Sequence, residues 1–379
     1  MNYRGAITTK AGSVIPPVYA GSLIGPSGGF KIMRRLCLVF GLALTLGGCA
    51  PSAARDRQNA VVTPPPAPAA TMAAPAPQVS FPVWLDGLAS EARQDGISQI
   101  TIDRALKNLQ LIPRVVELDH RQPEVKLGFD DYLHRVVTDA RVAQAQKHLI
   151  ADRTILNEVS LRYGVQPAYI VALWGMETSF GAQTGNFPII AALATLAYDG
   201  RRAAFFRTEL IAALKILDRL GLPPEKLRGS WAGAMGQTQF MPSSFLRYAV
   251  DYSGRGAPDI WTNRSDVLAS IANYLARSGW DPQNPWGLEV TLPSDFDPSL
   301  IGNLSANHDM AMPAWQALGV RATDGGGLPA LQGTLRLVQP GGADGPTLLV
   351  TGNYRVLLKW NRSLYFATAA SYLADRIEN

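Results

Sequence analysis

The chain has 379 residues, 47% of them apolar, which is ample for two or three packed units with a real core. Its formal net charge of +5 comes from the start: residues 1–48 carry Arg4, Lys10, Lys31, Arg34 and Arg35 and no acid, which leaves 30 basic and 30 acidic residues in the remainder. A body with no excess positive charge speaks against a nucleic-acid partner.

Residues 33–49, "MRRLCLVFGLALTLGGC", have a basic start, an apolar run and small residues before Cys49. The run is too short to span a bilayer comfortably. It resembles a bacterial lipoprotein signal, with Leu46, Gly47, Gly48 and Cys49 as the lipobox. That resemblance implies removal of residues 1–48 and lipidation of Cys49; an ordinary signal that happens to contain a Cys is the alternative. Met33 opens a signal of normal length, so residues 1–32 fit a misplaced start. Residues 49–79 are then the lipidated Cys and an Ala/Pro-rich tether, unable to bury a core and suited to reaching away from a membrane. Cys37 and Cys49 are the only cysteines, so the folded part has no disulfide, thiol nucleophile or thiolate metal site. His120, His134, His148 and His308 read as solvated surface residues without metal-ligand spacing.

From Phe81 to about Tyr163, apolar residues three and four apart predict successive helices. Gly164 suits a C-cap and Pro167 a first helical turn. The next helix, "PAYIVALWGMETSFG", is apolar nearly all round and so buried, with Gly181 as its stop. Helices over "IIAALATLAY", "RRAAFFRTELIAALKILDRLG" and "SDVLASIANYLARSGW" follow. After Trp286, "LEVTLPSDF", "GTLRLVQP" and "TLLVTGNYRVLLKWN" read as short strands between Gly, Pro and Asp turns. A last helix, "SLYFATAASYLADRI", has Ser363 as N-cap. The fold class is α+β and mainly helical: a helical subdomain over 80–165, a core over 166–286, and a small β subdomain with a closing helix over 287–379.

Glu177 is the only Asp or Glu between Val159 and Tyr198. A lone carboxylate on a buried helix is desolvated, which raises its pKa and suits a general acid for a glycosidic oxygen. A Glu that merely reaches solvent or an Arg is the plainer alternative. The segment "SWAGAMGQTQFMPSSF", residues 230–245, is rich in small residues and offers Ser230, Gln237, Thr238, Gln239 and Ser243 but no acid or base. Small residues let backbone approach a ligand, and neutral amides and hydroxyls suit sugar hydroxyls and acetamides. A tight loop followed by a helix with Pro242 near N1 explains the same composition.

Together with "IANYLARSGW" and "YRVLLKWNRSLYF", these two segments resemble the B-type membrane-bound lytic murein transglycosylases, from about residue 80 to the end. The resemblance implies a lysozyme-like core that cleaves the β-1,4 bond between N-acetylmuramic acid and N-acetylglucosamine in peptidoglycan, leaving a 1,6-anhydro-muramic acid end. It implies Glu177 as the one catalytic residue, acid first and base second, with the substrate acetamide assisting. Ser230, Gln239, Tyr274 and Asn361 match substrate-contacting positions, Tyr274 beside the glutamate. Trp360 stands where the family commonly has Tyr, and Tyr365-Phe366 replaces a Tyr pair that closes the cleft, leaving Phe366 able to stack but not to donate.

The family can carry a calcium loop, here residues 251–262. Asp251, Ser253 and Asp259 offer oxygens, yet Arg255 replaces one ligand and Thr262 stands where a bidentate Glu is expected, so the loop reads as metal-free and no cofactor is expected. The expected partners are glycan strands and a membrane reached through the lipid anchor, the protein acting as a monomer. Ala50 after the lipidated Cys points to the inner face of the outer membrane. A hydrolytic muramidase of the same fold and a non-catalytic peptidoglycan-binding lipoprotein are the other readings.

Overall fold

The apolar spacing between Phe81 and Tyr163 produces six helices in this computed structural model, which describes residues 79–121, 127–302 and 308–378. They are α1 (Phe81–Gln94), α2 (Gln99–Leu106), α3 (Pro113–His120), α4 (Phe129–Val136), α5 (Asp139–Ala151) and α6 (Arg153–Tyr163). The side chains of Ser98 and Thr138 cap α2 and α5 by accepting the N–H of Thr101 and Arg141. The signal, Cys49 and the tether lie outside the described residues.

Gly164 closes α6 in the left-handed conformation, φ +67°, and Pro167 opens α7 (Pro167–Thr178), as the sequence predicts. Next come α8 (Ile189–Asp199), α9 (Ala203–Leu220), α10 (Pro242–Tyr248), α11 (Arg264–Arg277), α12 (Met312–Ala317), α13 (Gly352–Trp360) and α14 (Leu364–Glu378). All of α7 except Pro167 and Met176 is buried. It is enclosed by α5, α6, α11 and α14, which explains why its sequence has no polar stripe. Among the described residues no helix is long and apolar enough to cross a membrane.

The strands are short. Phe187–Pro188 (β1) pairs with Arg228–Gly229 (β2). The remaining five, β3 (Gly287–Thr291), β4 (Met310–Ala311), β5 (Arg321–Ala322), β6 (Thr334–Val338) and β7 (Leu348–Val350), form an antiparallel sheet in the order β4-β6-β7-β3-β5. In its register Leu349 stands between Leu288 and Leu337.

One expected strand region folds otherwise. Of "TLLVTGNYRVLLKWN" only β7 is extended; from Gly352 to Trp360 the chain is the helix α13. Thr351 caps it, accepting the Asn353 N–H at 3.1 Å. Asn353 then fixes the helix start from outside, donating to the carbonyls of Asp281 (2.8 Å) and Asn284 (2.7 Å) and accepting the Asp281 N–H (2.8 Å). Helical spacing of Tyr354, Leu357 and Trp360 was present in the sequence but masked by alternation. The closing helix starts as expected, with Ser363 Oγ accepting the Phe366 N–H at 3.3 Å.

Three apolar cores result. The first joins α5, α6, α7, α11, α13 and α14; the second joins α1, α2, α3, α8 and α9 with part of 227–260; the third lies on the sheet around Trp315. Tyr274 of α11 and Trp360 of α13 pack against both the first and the second core. The chemistry-bearing residues gather along that seam.

Candidate active site

Glu177 is the penultimate residue of α7, and the helix stops at Thr178 rather than at Gly181. Ser179 and Phe180 are both in the left-handed region (φ +49° and +59°), which side-chain-bearing residues rarely adopt. Packing enforces the turn. The Phe180 ring folds back over Gly175, where a Cβ would stand 2.6 Å from Phe180 Cζ, and rests against Trp174 and His148. Strain of this kind survives only where surroundings over-determine it, and it clusters at functional sites.

The second expected segment is joined to this helix end. Thr178 Oγ1 donates to the Gln237 carbonyl at 2.9 Å, and the Trp174 indole donates to Gln237 Oε1 at 2.9 Å. Gln237 Nε2 in turn donates to the Trp261 carbonyl at 2.9 Å. The loop is folded tightly enough to need its glycines: a Cβ on Gly236 would stand 2.6 Å from the Ile260 carbonyl oxygen. Ser230 Oγ accepts the Ala234 N–H at 3.0 Å. Gln239, also left-handed (φ +50°), donates to the carbonyls of Thr184 and Gly236. Pro242 opens α10 as expected, and the buried Glu209 of α9 accepts both the N–H and the hydroxyl of Ser243.

The third contribution comes from the end of α13. Trp360 Nε1 donates to Glu177 Oε1 at 2.7 Å. Glu177 Oε2 and the neighbouring Asn361 Oδ1 are buried polar atoms without a hydrogen-bond partner. Glu177 is 8% exposed. Burial pushes its carboxyl from the usual glutamate range to about 7, while the Trp360 N–H, which favours the carboxylate, pulls the other way. Such a group is protonated for much of its time near neutral pH and can donate.

Tyr274 stands one residue removed from the glutamate. Its ring meets Trp360 at 4.7 Å, and its hydroxyl donates to the Lys359 carbonyl at 2.6 Å. Tyr365 is half-buried between Phe129 and Tyr132. Phe366 is 4% exposed within the first core, so its ring is not presented for stacking on a sugar, as it had been expected to be. The sequence marks Trp360 only as a departure from Tyr, and nothing in it marks Tyr132 of α4. Tyr132 is close enough for the Glu177 charge, together with burial as the larger cause, to push its phenol above the usual range.

His148 is not a solvated residue: it lies against Trp174 and Phe180, each at 4.7 Å between ring centres, and bonds Asp152. Asp119, His120 and Asp199 converge, but Arg201 and Arg202 already compensate the buried Asp119 carboxylate. In the 251–262 loop, Asp251 accepts the N–H groups of Arg255 (2.9 Å) and Gly256 (2.7 Å). Asp259 accepts those of Trp261 and Thr262, and the Thr262 hydroxyl as well. The fully buried Asp266 of α11 ties the loop down through the N–H groups of Tyr252, Ser253 and Asp259.

Comparison with known proteins adds to this geometry. The family model described as Transglycosylase SLT domain matches residues 80–375. Over 126 residues, 33% of this chain, the sequence is 44% identical to the membrane-bound lytic murein transglycosylase B of Escherichia coli (strain K12); the match spans 35% of that relative. SltB3 from Pseudomonas aeruginosa, solved with NAG-NAM-pentapeptide and with NAG-anhNAM-pentapeptide, is 44% identical with a TM-score of 0.75, covering 79% of this chain and 80% of that one. The Escherichia coli lytic transglycosylase Slt35 in complex with calcium is 26% identical with a TM-score of 0.67, covering 78% of this chain and 92% of that one.

Proposed function

Since the chain belongs to the Transglycosylase SLT domain family, we propose that it is a lytic transglycosylase that cleaves the β-1,4 bond between N-acetylmuramic acid and N-acetylglucosamine in peptidoglycan. The observation that carries this reading is one buried carboxyl, Glu177, raised to about 7, with an unpartnered oxygen and no ion-pair partner among the described residues. Glu177 protonates the leaving N-acetylglucosamine oxygen as the C1–O bond breaks, and the muramic acid acetamide oxygen shields C1. The carboxylate so formed takes the proton of the C6 hydroxyl as its oxygen bonds to C1. The product ends in 1,6-anhydro-muramic acid, the carboxyl is restored, and no water is consumed.

Ser230, Gln239, Asn361 and Tyr365, with Tyr132, are the groups to which we assign glycan contact; Asn361 Oδ1 supports this as a buried acceptor still lacking a donor. The hydrolytic alternative needs a base to activate water, and among the described residues no second carboxylate perturbs Glu177. A pure binder has no use for a buried unpaired carboxyl, which only costs stability. We also propose that the 251–262 loop works without metal: Arg255 occupies a ligand position, and Asp259 is taken up by its own turn and Thr262. The "LGGC" run supports anchoring through Cys49, Ala50 after it supports the inner face of the outer membrane, and the Escherichia coli relative is itself described as membrane-bound. Replacement Glu177→Gln tests the reading: release of soluble fragments from purified sacculi should fall below a few per cent while the fold persists, and substantial residual release would refute the role of Glu177.

A further inference from the structure

We infer that Trp360 is a positioning residue which confines the transferable proton of Glu177 to Oε2. The reasoning starts from the chemistry of indole. Its N–H can donate and its ring nitrogen cannot accept, so the 2.7 Å bond leaves Oε1 as an acceptor in both charge states of the carboxyl. A proton on Oε1 would make that oxygen the poorer acceptor for the indole N–H, whereas a proton on Oε2 leaves the bond intact and meets no protein group, because Oε2 has no partner. A phenol at the same position could turn its hydroxyl and accept from the acid; the indole has no such second state. The inference rests on the transglycosylase reading only for where the proton goes.

The indole is held in place from three sides. Its ring packs on Tyr274 (4.7 Å) and Phe240 (5.5 Å). Behind it, α11 grips the end of α13 in both directions: Tyr274 donates to the Lys359 carbonyl, and Lys359 Nζ donates to the Ser278 carbonyl at 2.7 Å. When Glu177 gives up its proton, the same N–H bond becomes charge-assisted and stronger. Trp360 therefore stabilises the carboxylate formed midway through the reaction and keeps burial from raising the carboxyl out of the working range. The other titratable groups nearby are Tyr132 on α4, which Arg141 of α5 faces, His148 of α5 against Trp174, Tyr274 and Lys359.

The test replaces the Trp360 indole with isosteric benzothiophene, which keeps the packing and removes the N–H, alongside Trp360→Phe and Trp360→Tyr. Titration of the Glu177 carboxyl band by infrared difference spectroscopy, identified by its loss in Glu177→Gln, reads the carboxyl directly. With benzothiophene the titration and the alkaline limb of the pH–rate profile should both rise by about one pH unit, and kcat should fall about tenfold with KM little changed. Trp360→Tyr should return the titration towards wild type. An unmoved carboxyl titration in the folded benzothiophene variant overturns the inference, whatever the products are. A titration that moves in a protein whose products lack anhydro ends sustains the positioning role and overturns the transglycosylase reading instead.

Discussion

Thr178 donates its hydroxyl to the carbonyl of Gln237 at 2.9 Å, which ties the residue beside Glu177 to a loop 59 positions away in sequence. The Trp174 indole reaches the same Gln237 through its side chain. The end of α7 and the 230–241 loop therefore form one rigid piece, and Glu177 is presented from it.

Gln237→Ala should loosen that piece. It leaves the Trp174 N–H and the Trp261 carbonyl without their partner, at a cost of about 2 kcal/mol or more. Denaturant unfolding should show the loss, and kcat should fall with it. Unchanged stability would mean that water replaces the amide without penalty.

Gly175→Ala should damage both stability and activity, because the added methyl meets the Phe180 ring at 2.6 Å and forces it off α7. Overpacking of this kind costs about 1–3 kcal/mol. Gly87→Ala in α1, where nothing lies within 4 Å of the new methyl, should be stabilising by about 0.5–1 kcal/mol. Thermal unfolding of the pair separates the tight site from a permissive helix position.

The isolation of Glu177, the burial of α7, and the Gly164 and Pro167 boundaries were legible because each depends on residues close in sequence. What was missed depends on distant residues. Nothing near Trp360 says that its N–H will meet a carboxylate 183 positions away. The early end of α7 follows from Phe180 packing over Gly175, and the partial burial of His148 from the rings of Trp174 and Phe180. In 352–360 the alternation was real but short, and the caps from Thr351 and the bonds of Asn353 decided for a helix.

Stability should carry the mark of the raised carboxyl. The folded-state value of Glu177, about 7, lies above the unfolded value of about 4.3, so the folded protein keeps a proton that the unfolded chain has lost. Stability from this group is complete below about pH 4 and declines as pH rises towards and through 7. Glu177→Gln removes the dependence. The variant should therefore match wild type near pH 4 and exceed it at pH 8 by up to about 3 kcal/mol. Parallel stability curves for the two proteins across pH 5–8 would show that Glu177 is not destabilised by burial.

The metal-free reading proposed for the 251–262 loop, from Arg255 and the Asp259 turn, predicts that calcium or a chelator leaves the wild-type melting temperature unchanged. Asp266→Asn should lower it, since three loop N–H groups depend on that buried carboxylate. A wild-type melting temperature that climbs with free calcium, as linkage requires of a bound ion, would contradict the metal-free loop.

The most direct test of the chemistry is digestion of purified sacculi in water enriched in oxygen-18, followed by mass spectrometry of the released muropeptides. Attack by the C6 hydroxyl predicts products that all end in 1,6-anhydro-muramic acid, lighter by one water than hydrolysis products and free of the label, with release abolished in Glu177→Gln. Reducing muramic acid ends carrying oxygen-18 would show that water attacks C1, and that Glu177 serves a hydrolase.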